Sequence, residues 1–184
     1  MRYIIFFLIF FYPSNVFASS TEQIKNKLKE TNNISFKFIQ KIGKKTEKGD
    51  CIISYPKKIL CKYDDIYNKV LVSNGRSLVI NSQKITNYIR YKLKDTPLNL
   101  ILDKKFLLEK LDQLETIKEN DETFSFKITH NNNLLNIFFD KINYKIKGWT
   151  TTDTYLNKVE TKLYNVETNI MIDERLFRIQ NYIN

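Results

Sequence analysis

The residue types that could do chemistry are few in this sequence. His130 is the one histidine and lies among asparagines, a pattern that predicts a polar turn. Asp64 and Asp65 form an acidic pair, but adjacent carboxylates in an exposed turn are usually solvated rather than catalytic or Ca²⁺-binding. With four glycines in the chain, no phosphate-binding loop can be drawn, and no serine lies in a nucleophile-elbow pattern. We expect no catalytic residue, no metal site, no cofactor and no enzyme activity.

The N-terminal 18 residues predict a secretory signal peptide. Arg2 gives a basic start, residues 3–12 are an unbroken apolar run, and Val16 and Ala18 are the small residues before a cleavage point. The apolar run is shorter than the roughly 20 residues that span a bilayer. We expect cleavage after Ala18 and a single exported domain over residues 19–184. An uncleaved N-terminal anchor is the alternative.

Cys51 and Cys61 are the two cysteines of the chain. Two cysteines without a nearby histidine make a poor metal site. In an exported chain they could form a disulfide, because a hairpin folded about Pro56 would place them opposite each other within bridging range. The alternative is a pair of small buried apolar residues. The sequence leaves this choice open.

The hairpin around Pro56 organises the rest of the chain. Proline cannot donate a ladder hydrogen bond, so Pro56 belongs at the turn, and residues 70–75 add a third strand. Folded in this way, one face of the hairpin is largely polar and the other is apolar and partly aromatic. The apolar face carries Cys51, Ile53, Tyr55, Ile59, Cys61 and Tyr63. A sheet with one apolar face must cover that face or bind something with it.

The remaining pattern predicts a mainly β chain with two helical parts. An amphipathic helix at 21–30 precedes the strands, and apolar residues after Thr96 and Pro97 predict one or two short helices up to residue 111. These helices are suited to cover the apolar face of the sheet. The predicted strands lie at 34–42, in the hairpin and its third strand, and at 77–80, 84–91, 114–118, 124–128, 134–139, 143–149, 155–166 and 175–180.

The net charge of +10 could indicate nucleic acid, an anionic membrane surface or an acidic partner. The lysines are scattered, however, without an arginine cluster or a run of five basic residues, and the chain is rich in Lys, Ile and Asn throughout. Export also argues against nucleic acid. We therefore attribute the charge to a general compositional bias and expect no nucleic-acid binding.

An ordered set of residues resembles a known family. The set comprises Phe38 to Gln40, Gly49 seven residues before Pro56, Ile59 to Asp64, Val70 to Leu78, and Thr96 to Leu98 with Leu102. Gly148 with Trp149, the strand at 163–166, and Leu176 with Phe177 fit more loosely. Together these segments resemble the periplasmic outer-membrane lipoprotein carrier, the LolA family, over nearly the whole mature chain. No single motif carries the resemblance; the order and spacing do.

The resemblance implies a fold, a function and a set of partners. The fold would be an incomplete, strongly curved antiparallel β-barrel, a half-barrel, with an N-terminal helix and a helical lid insert. The function would be that of a monomeric periplasmic chaperone. It would take acylated lipoproteins from an inner-membrane ABC-type release complex and pass them to an outer-membrane receptor. The lipid-binding cavity would be lined by Phe36, Phe38, Ile53, Tyr55, Ile59 and Tyr63, and the lid would carry Leu98, Ile101 and Leu102.

One departure from the family pattern concerns the lid. The family usually has an arginine just before the hairpin proline, and that arginine is implicated in holding the lid; here the position is Tyr55. Many relatives also have a basic residue in place of Leu60. We expect the hydroxyl of Tyr55 to bond a lid carbonyl, which would make a weaker latch because the hydroxyl carries no charge.

Two other functions fit the same sequence. The first is a periplasmic lipid- or lipoprotein-sensing module with the same half-barrel and no transport. The second is a structural protein whose sheet is filled by its own side chains. Saturable binding of a fatty acid or a hydrophobic dye would distinguish a lipid-binding protein from a filled core.

Overall fold

The computed structural model describes residues 19–113, 118–130, 133–153 and 157–183. The predicted signal peptide, residues 1–18, lies outside these ranges and stays a prediction.

The described residues form a mainly β structure. Its strands are β1 (Asn33–Ile42), β2 (Lys45–Ser54), β3 (Lys58–Tyr63), β4 (Val70–Asn74), β5 (Ser77–Asn81), β6 (Ile89–Lys92), β7 (Lys118–Glu119), β8 (Thr123–His130), β9 (Asn133–Asp140), β10 (Ile146–Thr152) and β11 (Lys158–Thr168). Its helices are α1 (Ser20–Glu30), α2 (Leu98–Leu102) and α3 (Lys104–Asp112), with 3₁₀ turns at Leu93–Asp95, Glu174–Phe177 and Ile179–Tyr182.

The eleven strands of the described ranges form one antiparallel sheet in the order β6-β5-β4-β3-β2-β1-β11-β10-β9-β8-β7. Each half is a meander, and pairing of β1 with β11 joins the halves, for example through Phe38 opposite Leu163. Strands β6 and β7 end the sheet and do not pair with each other, so the sheet is open. This architecture confirms the predicted incomplete antiparallel barrel with an N-terminal helix and a helical insert.

Alternating burial explains why these segments are strands. In β9, Leu135, Ile137 and Phe139 are buried, while the residues between them are only half-buried. In β8, Phe126 lies opposite Ile137 in register, and its ring meets Phe139 edge to face at 5.6 Å between centroids. One face of each strand is therefore committed to the core, which fixes the register.

The helices pack on the inner face of the sheet, the face that carries most of the core. Helix α1 begins at the cap residue Ser19, whose hydroxyl accepts the Glu22 N–H, and it buries Ile24 and Leu28. Helix α3 buries Leu107 and Leu111. These residues belong to one apolar cluster with side chains from both halves of the sheet, so the two halves share a core.

The outer face of β3–β5 is covered by the C-terminal segment. Leu60, Val72 and Val79 form a second buried cluster with Phe177 and Ile179. The prediction of a strand at 175–180 is wrong, because this segment forms two 3₁₀ turns. Asp173 caps the first turn by accepting the Arg175 N–H, which favours a turn over an extended chain.

The boundaries of other strands also differ from the prediction. The strand predicted at 84–91 begins only at Ile89, because Ser82 forms turns: its carbonyl accepts the Ile85 N–H and its hydroxyl accepts the Lys84 N–H. The strand predicted at 143–149 begins at Ile146, because the Asp140 side chain accepts the backbone N–H groups of the preceding turn. The strand predicted at 114–118 lies mostly outside the described residues.

Candidate functional site

A cavity of about 290 Å³ lies on the inner face, between the sheet and the segment that leads into α2. Strands β1–β5 and β10–β11 supply one side, and residues from Tyr91 to Leu98 supply the other. Most of the lining is apolar. Its aromatic members are Phe36, Phe38, Tyr63, Tyr91 and Trp149, and its aliphatic members include Ile42, Ile59, Leu71, Leu78, Ile80, Leu98 and Val159.

Two aromatic pairs form the wall of the cavity. Phe36 and Trp149 meet edge to face with ring centroids 6.1 Å apart, and Phe38 and Tyr63 meet at 5.1 Å. Edge-to-face pairs of this kind contribute about 0.5–1.5 kcal/mol each beyond their buried area. The wall is therefore held in place by its own packing and presents ring surfaces to the cavity.

A disulfide between Cys51 and Cys61 lies in the same lining. The two residues are directly opposite in the β2–β3 register, with Cα atoms 4.1 Å apart. Of the two alternatives that the sequence left open, the structure has the bridge. It ties the central hairpin together beneath the cavity.

A charged group lies at one corner of this apolar lining. The Lys69 ammonium is 3.9 Å from the centre of the Tyr63 ring and donates to both carboxylate oxygens of Glu47, at 2.8 and 2.9 Å. Burial alone would raise the pKa of the Glu47 carboxyl, but hydrogen bonds from Lys45 and Lys69 hold that pKa below its usual value. Burial raises the pKa of the Tyr63 hydroxyl. The corner thus carries a paired cation rather than a free one.

Comparison with known proteins then identifies the family. The family model for the outer membrane lipoprotein carrier protein LolA matches residues 29–180. The chain belongs to the LolA family. A search against curated protein sequences found no match.

One of the solved structures that this LolA family member resembles is similar enough to show its fold. A domain described as an outer membrane lipoprotein-sorting protein, from Vibrio parahaemolyticus, has a TM-score of 0.51 at 9% identity, covering 89% of this chain and 96% of that chain. This likeness shows a shared fold. A LolA superfamily protein from Nitrosomonas europaea has a TM-score of 0.47 at 8% identity, covering 89% and 100%. A DUF1329 family protein from Desulfovibrio piger has a TM-score of 0.48 at 8% identity, covering 89% and 97%.

The residues that were predicted to line the cavity divide into two groups. Phe36, Phe38, Ile59 and Tyr63 line it. Ile53 and Tyr55 do not; they belong to the packed part of the same apolar cluster. The inner face of this LolA family member is therefore open at one end and filled at the other.

The predicted lid residues divide in the same way. Leu98, at the start of α2, lines the cavity, whereas Ile101 and Leu102 are fully buried in the core. Helix α2 is thus packed onto the sheet over its C-terminal half and borders the cavity with its first residue. In this structure α2 lies over the filled end of the inner face.

The hairpin turn holds α2 in that position. The Lys57 backbone N–H donates to the Leu102 carbonyl at 2.8 Å, and the Lys57 ammonium lies 3.1 Å from the Asp103 carboxylate. Asp103 also caps α3 by accepting the Phe106 N–H at 3.1 Å. We call this set, Lys57 with Leu102 and Asp103, the hairpin clasp. It connects the turn of the central hairpin to the junction of both lid helices.

Tyr55 does not make the expected bond to a lid carbonyl. Its hydroxyl is buried and has no hydrogen-bond partner among the described residues, and burial raises the pKa of that hydroxyl. The Tyr55 backbone N–H instead donates to the Asn32 carbonyl at 2.9 Å, and the Lys104 ammonium lies 5.8 Å from its ring. The backbone and the charge that contact Leu102 and Asp103 belong to Lys57, two residues further along the turn.

Lys104 ties α3 to the end of α1. Its ammonium donates to the carbonyls of Thr31 and Lys29, at 2.9 and 3.2 Å, and its partial burial lowers the pKa of the amine. A cation at a helix C-terminus also interacts favourably with the helix dipole. Helix α2 is thus bonded to the hairpin turn, and α3 to the end of α1.

Sequence reasoning missed the cavity residues on β4, β5, β10 and β11. Leu71 lies opposite Cys61 on β4, and Ile80 lies opposite Leu71 on β5, so both continue the apolar face that the hairpin begins. Carrying the alternation from strand to strand would have found them. Trp149 is different, because its place beside the cavity depends on the pairing of β1 with β11 and of β11 with β10, which no local pattern reveals.

The residues first considered for chemistry have structural surroundings. The His130 ring packs against Phe106 with centroids 5.1 Å apart. The Asp65 carboxylate accepts the backbone N–H groups of Tyr67 and Lys69, which shapes the loop between β3 and β4. In the described ranges, no cluster of three or more His, Cys, Asp or Glu is arranged to hold a metal ion. No helix in the part of the chain that the structure describes could span a membrane.

Proposed function

We propose that this protein is a periplasmic carrier that binds the acyl chains of lipoproteins released from the inner membrane and delivers them to the outer membrane. The observation that carries the proposal is the apolar, aromatic-walled cavity on the inner face of an open sheet, in a chain of the LolA family. We propose a binding role without catalysis.

The free energy of such binding comes from apolar area. Each methylene that leaves water contributes about 0.8 kcal/mol, so a long acyl chain could contribute on the order of 10 kcal/mol before the costs of ordering it. A lipoprotein needs an apolar host to leave a membrane, and a host that binds too tightly would not release it. The cavity is only about 290 Å³ as it stands, so tight binding would require the lid to move.

The hairpin clasp could set the balance between holding the acyl chain and releasing it. Helix α2 is only five residues long, and its buried residues Leu100, Ile101 and Leu102 fill the part of the inner face next to the cavity. Lifting α2 would extend the cavity towards Ile53 and Tyr55. The apolar area that α2 leaves exposed would then be covered by acyl chain, so the cost of opening is offset by cargo.

The partners follow from this role. An inner-membrane ABC-type complex would supply the lipoprotein, and a receptor at the outer membrane would accept it. The protein would act as a periplasmic monomer.

The test has two stages. The first is displacement of a hydrophobic dye from the mature protein by a long-chain fatty acid, which should be saturable with a single class of site. The second mixes the mature protein with spheroplasts that carry a labelled outer-membrane lipoprotein and measures soluble one-to-one complexes. Binding without release of lipoprotein would favour a lipid sensor, and the absence of both would mean that the cavity is filled and the carrier proposal is wrong.

A further inference from the structure

Strand β6 (Ile89–Lys92) forms one end of the sheet and pairs only with β5. All four of its residues are exposed. A free edge of this kind can accept another extended chain as an additional strand. The edge also adjoins the cavity, because Tyr91 belongs to both.

The hydrogen-bond pattern shows which backbone groups face outward. The N–H of Leu93, just after β6, donates to the Arg76 carbonyl at 2.9 Å, and these two residues continue the β5–β6 register. Bonded and non-bonded pairs alternate in an antiparallel ladder. Tyr91 and Ile89 therefore bond towards β5, whereas Arg90 and Lys92 direct their N–H and C=O groups to the open side.

The side chains of β6 sort onto two faces. Tyr91 lies opposite Leu78 and Ile89 lies opposite Ile80, and both partners line the cavity. Ile89 and Tyr91 are 42% and 41% exposed, which is unusual for such residues in a strand next to an apolar cavity. A strand added to this edge would extend the apolar inner face and cover both residues.

The other face of β6 is basic and has no ion pair. Arg90 and Lys92 are exposed, as is Lys94 just after the strand. Among the described residues none of these three has a carboxylate within salt-bridge distance, although many lysines elsewhere do. Charge complementarity therefore favours an acidic segment. A second copy of this chain is disfavoured, because two β6 edges would bring like charges together.

We propose that the β6 edge binds an acidic, extended segment of the lipoprotein cargo, the segment that follows its acylated residue, as an added antiparallel strand. This inference rests on the proposed carrier function. The acyl chains occupy the cavity, the backbone of the segment bonds to Arg90 and Lys92, and its acidic side chains lie over the basic face. The edge thus holds the polypeptide part of the cargo while the cavity holds the lipid part.

The test compares palmitic acid with a palmitoylated peptide of about eight residues in which Glu alternates with Thr, a length and pattern that suit strand addition. Dye displacement from the mature protein should show that the lipopeptide binds at least tenfold more tightly than the fatty acid, as about two net hydrogen bonds would give. Only every second N–H of an added strand faces β6. N-methylation of the residues whose N–H groups face β6 should therefore abolish that gain, and N-methylation of the residues between them should leave it.

Charge-reversal variants complete the test. The double change Arg90→Glu with Lys92→Glu should remove the gain from the peptide and leave palmitic acid binding unchanged. The matched control, Lys44→Glu with Lys127→Glu, makes the same change in net charge at two exposed lysines away from β6 and should keep the gain.

The outcomes separate this inference from the proposed function. Failure of palmitic acid to bind would overturn the carrier proposal itself. Two outcomes would overturn the inference about the edge and leave the carrier proposal standing. One is binding of palmitic acid with no gain in affinity from the peptide. The other is a gain that is the same whichever set of alternate residues is N-methylated. A dimer that the Arg90 and Lys92 changes dissociate would mean that the edge binds a second copy, which would also overturn it.

Discussion

The backbone N–H of Lys57, in the turn of the central hairpin, donates a hydrogen bond of 2.8 Å to the carbonyl of Leu102, the last residue of α2. The same lysine reaches Asp103 with its ammonium. One residue thus connects the centre of the sheet to the lid by its backbone and its charge. A main-chain bond does not depend on residue type, so the side-chain ion pair is the part of the clasp that substitutions can test.

Asp103→Asn should loosen the lid without unfolding it. Asparagine caps a helix about as well as aspartate, so the cap on α3 is kept while the charge that faces Lys57 is lost. Partly exposed ion pairs contribute about 0.2–1 kcal/mol, so release of a bound fluorescent fatty acid should become roughly 1.4- to fivefold faster. Stopped-flow release into an excess of competitor measures this rate.

The matched control for that experiment is Asp112→Asn, at the other end of α3. Asp112 pairs with Lys25 of α1 and makes no contact with the hairpin turn in the clasp. Its release rate should stay close to that of the wild type. Equal effects of the two substitutions would mean that the clasp has no special role in holding cargo.

Trp149 should report directly on cargo. It is the one tryptophan of the chain, it lines the cavity, and it packs against Phe36. A brominated long-chain fatty acid should quench its fluorescence in a saturable way, because bromine quenches on contact, and the unbrominated acid of the same length is the control. Displacement of a dye by the brominated acid without any quenching would place the acyl chain outside this cavity.

The disulfide should make a large contribution to stability. Cys51 and Cys61 are ten residues apart in sequence, and closing a loop of that size in the unfolded chain stabilises a protein by about 2–3 kcal/mol in the chain-entropy model. Urea unfolding should show a free energy of unfolding lower by that amount after reduction. A Cys51→Ala, Cys61→Ala variant should not respond to the reductant, and a wild type that also failed to respond would contradict the prediction.

The register of the central hairpin could be predicted from sequence because a single residue determines it. With Pro56 at the turn, Cys51 falls opposite Cys61 and Ile53 opposite Ile59, and the structure has both pairs. Short-range pairing needs only the turn and the alternation. The same reasoning placed Ile59 and Tyr63 on the apolar face of the hairpin, and both line the cavity.

The features that sequence reasoning missed depend on distant parts of the chain. Ile53 and Tyr55 share the apolar face of the hairpin, but α2 packs over that end of the face, and no local pattern shows where a helix will lie. The segment with Leu176, Phe177 and Ile179 has apolar residues that suit a strand as well as 3₁₀ turns, and packing on the outer face of β3 and β4 decided between them.

Glu47 should make stability depend on pH. Its carboxylate is ionised in the native protein and hydrogen-bonded to Lys69 and Lys45, which holds its pKa below the usual value of about 4.3 for a glutamate. A lowered pKa in the folded state means that the stabilising contribution is fully present above the unfolded pKa and is lost as the pH falls through the folded pKa. Glu47→Gln should therefore be destabilised at pH 7, by roughly 1–2 kcal/mol for a charge-assisted hydrogen bond.

The same substitution should matter less as the solution becomes acidic, because the wild-type carboxylate is then protonated as well. Urea unfolding of both proteins from neutral pH down to about pH 3 tests this, and the two free energies of unfolding should converge below the usual carboxyl range. Glu122→Gln is the control, since Glu122 pairs with Lys147 at an exposed site where an ion pair contributes little. A constant difference between Glu47→Gln and wild type at every pH would mean that the side chain stabilises the corner by packing rather than by charge. In that case Lys69 would be held over the Tyr63 ring by the ring itself, and the polar corner of the cavity would remain intact in acid.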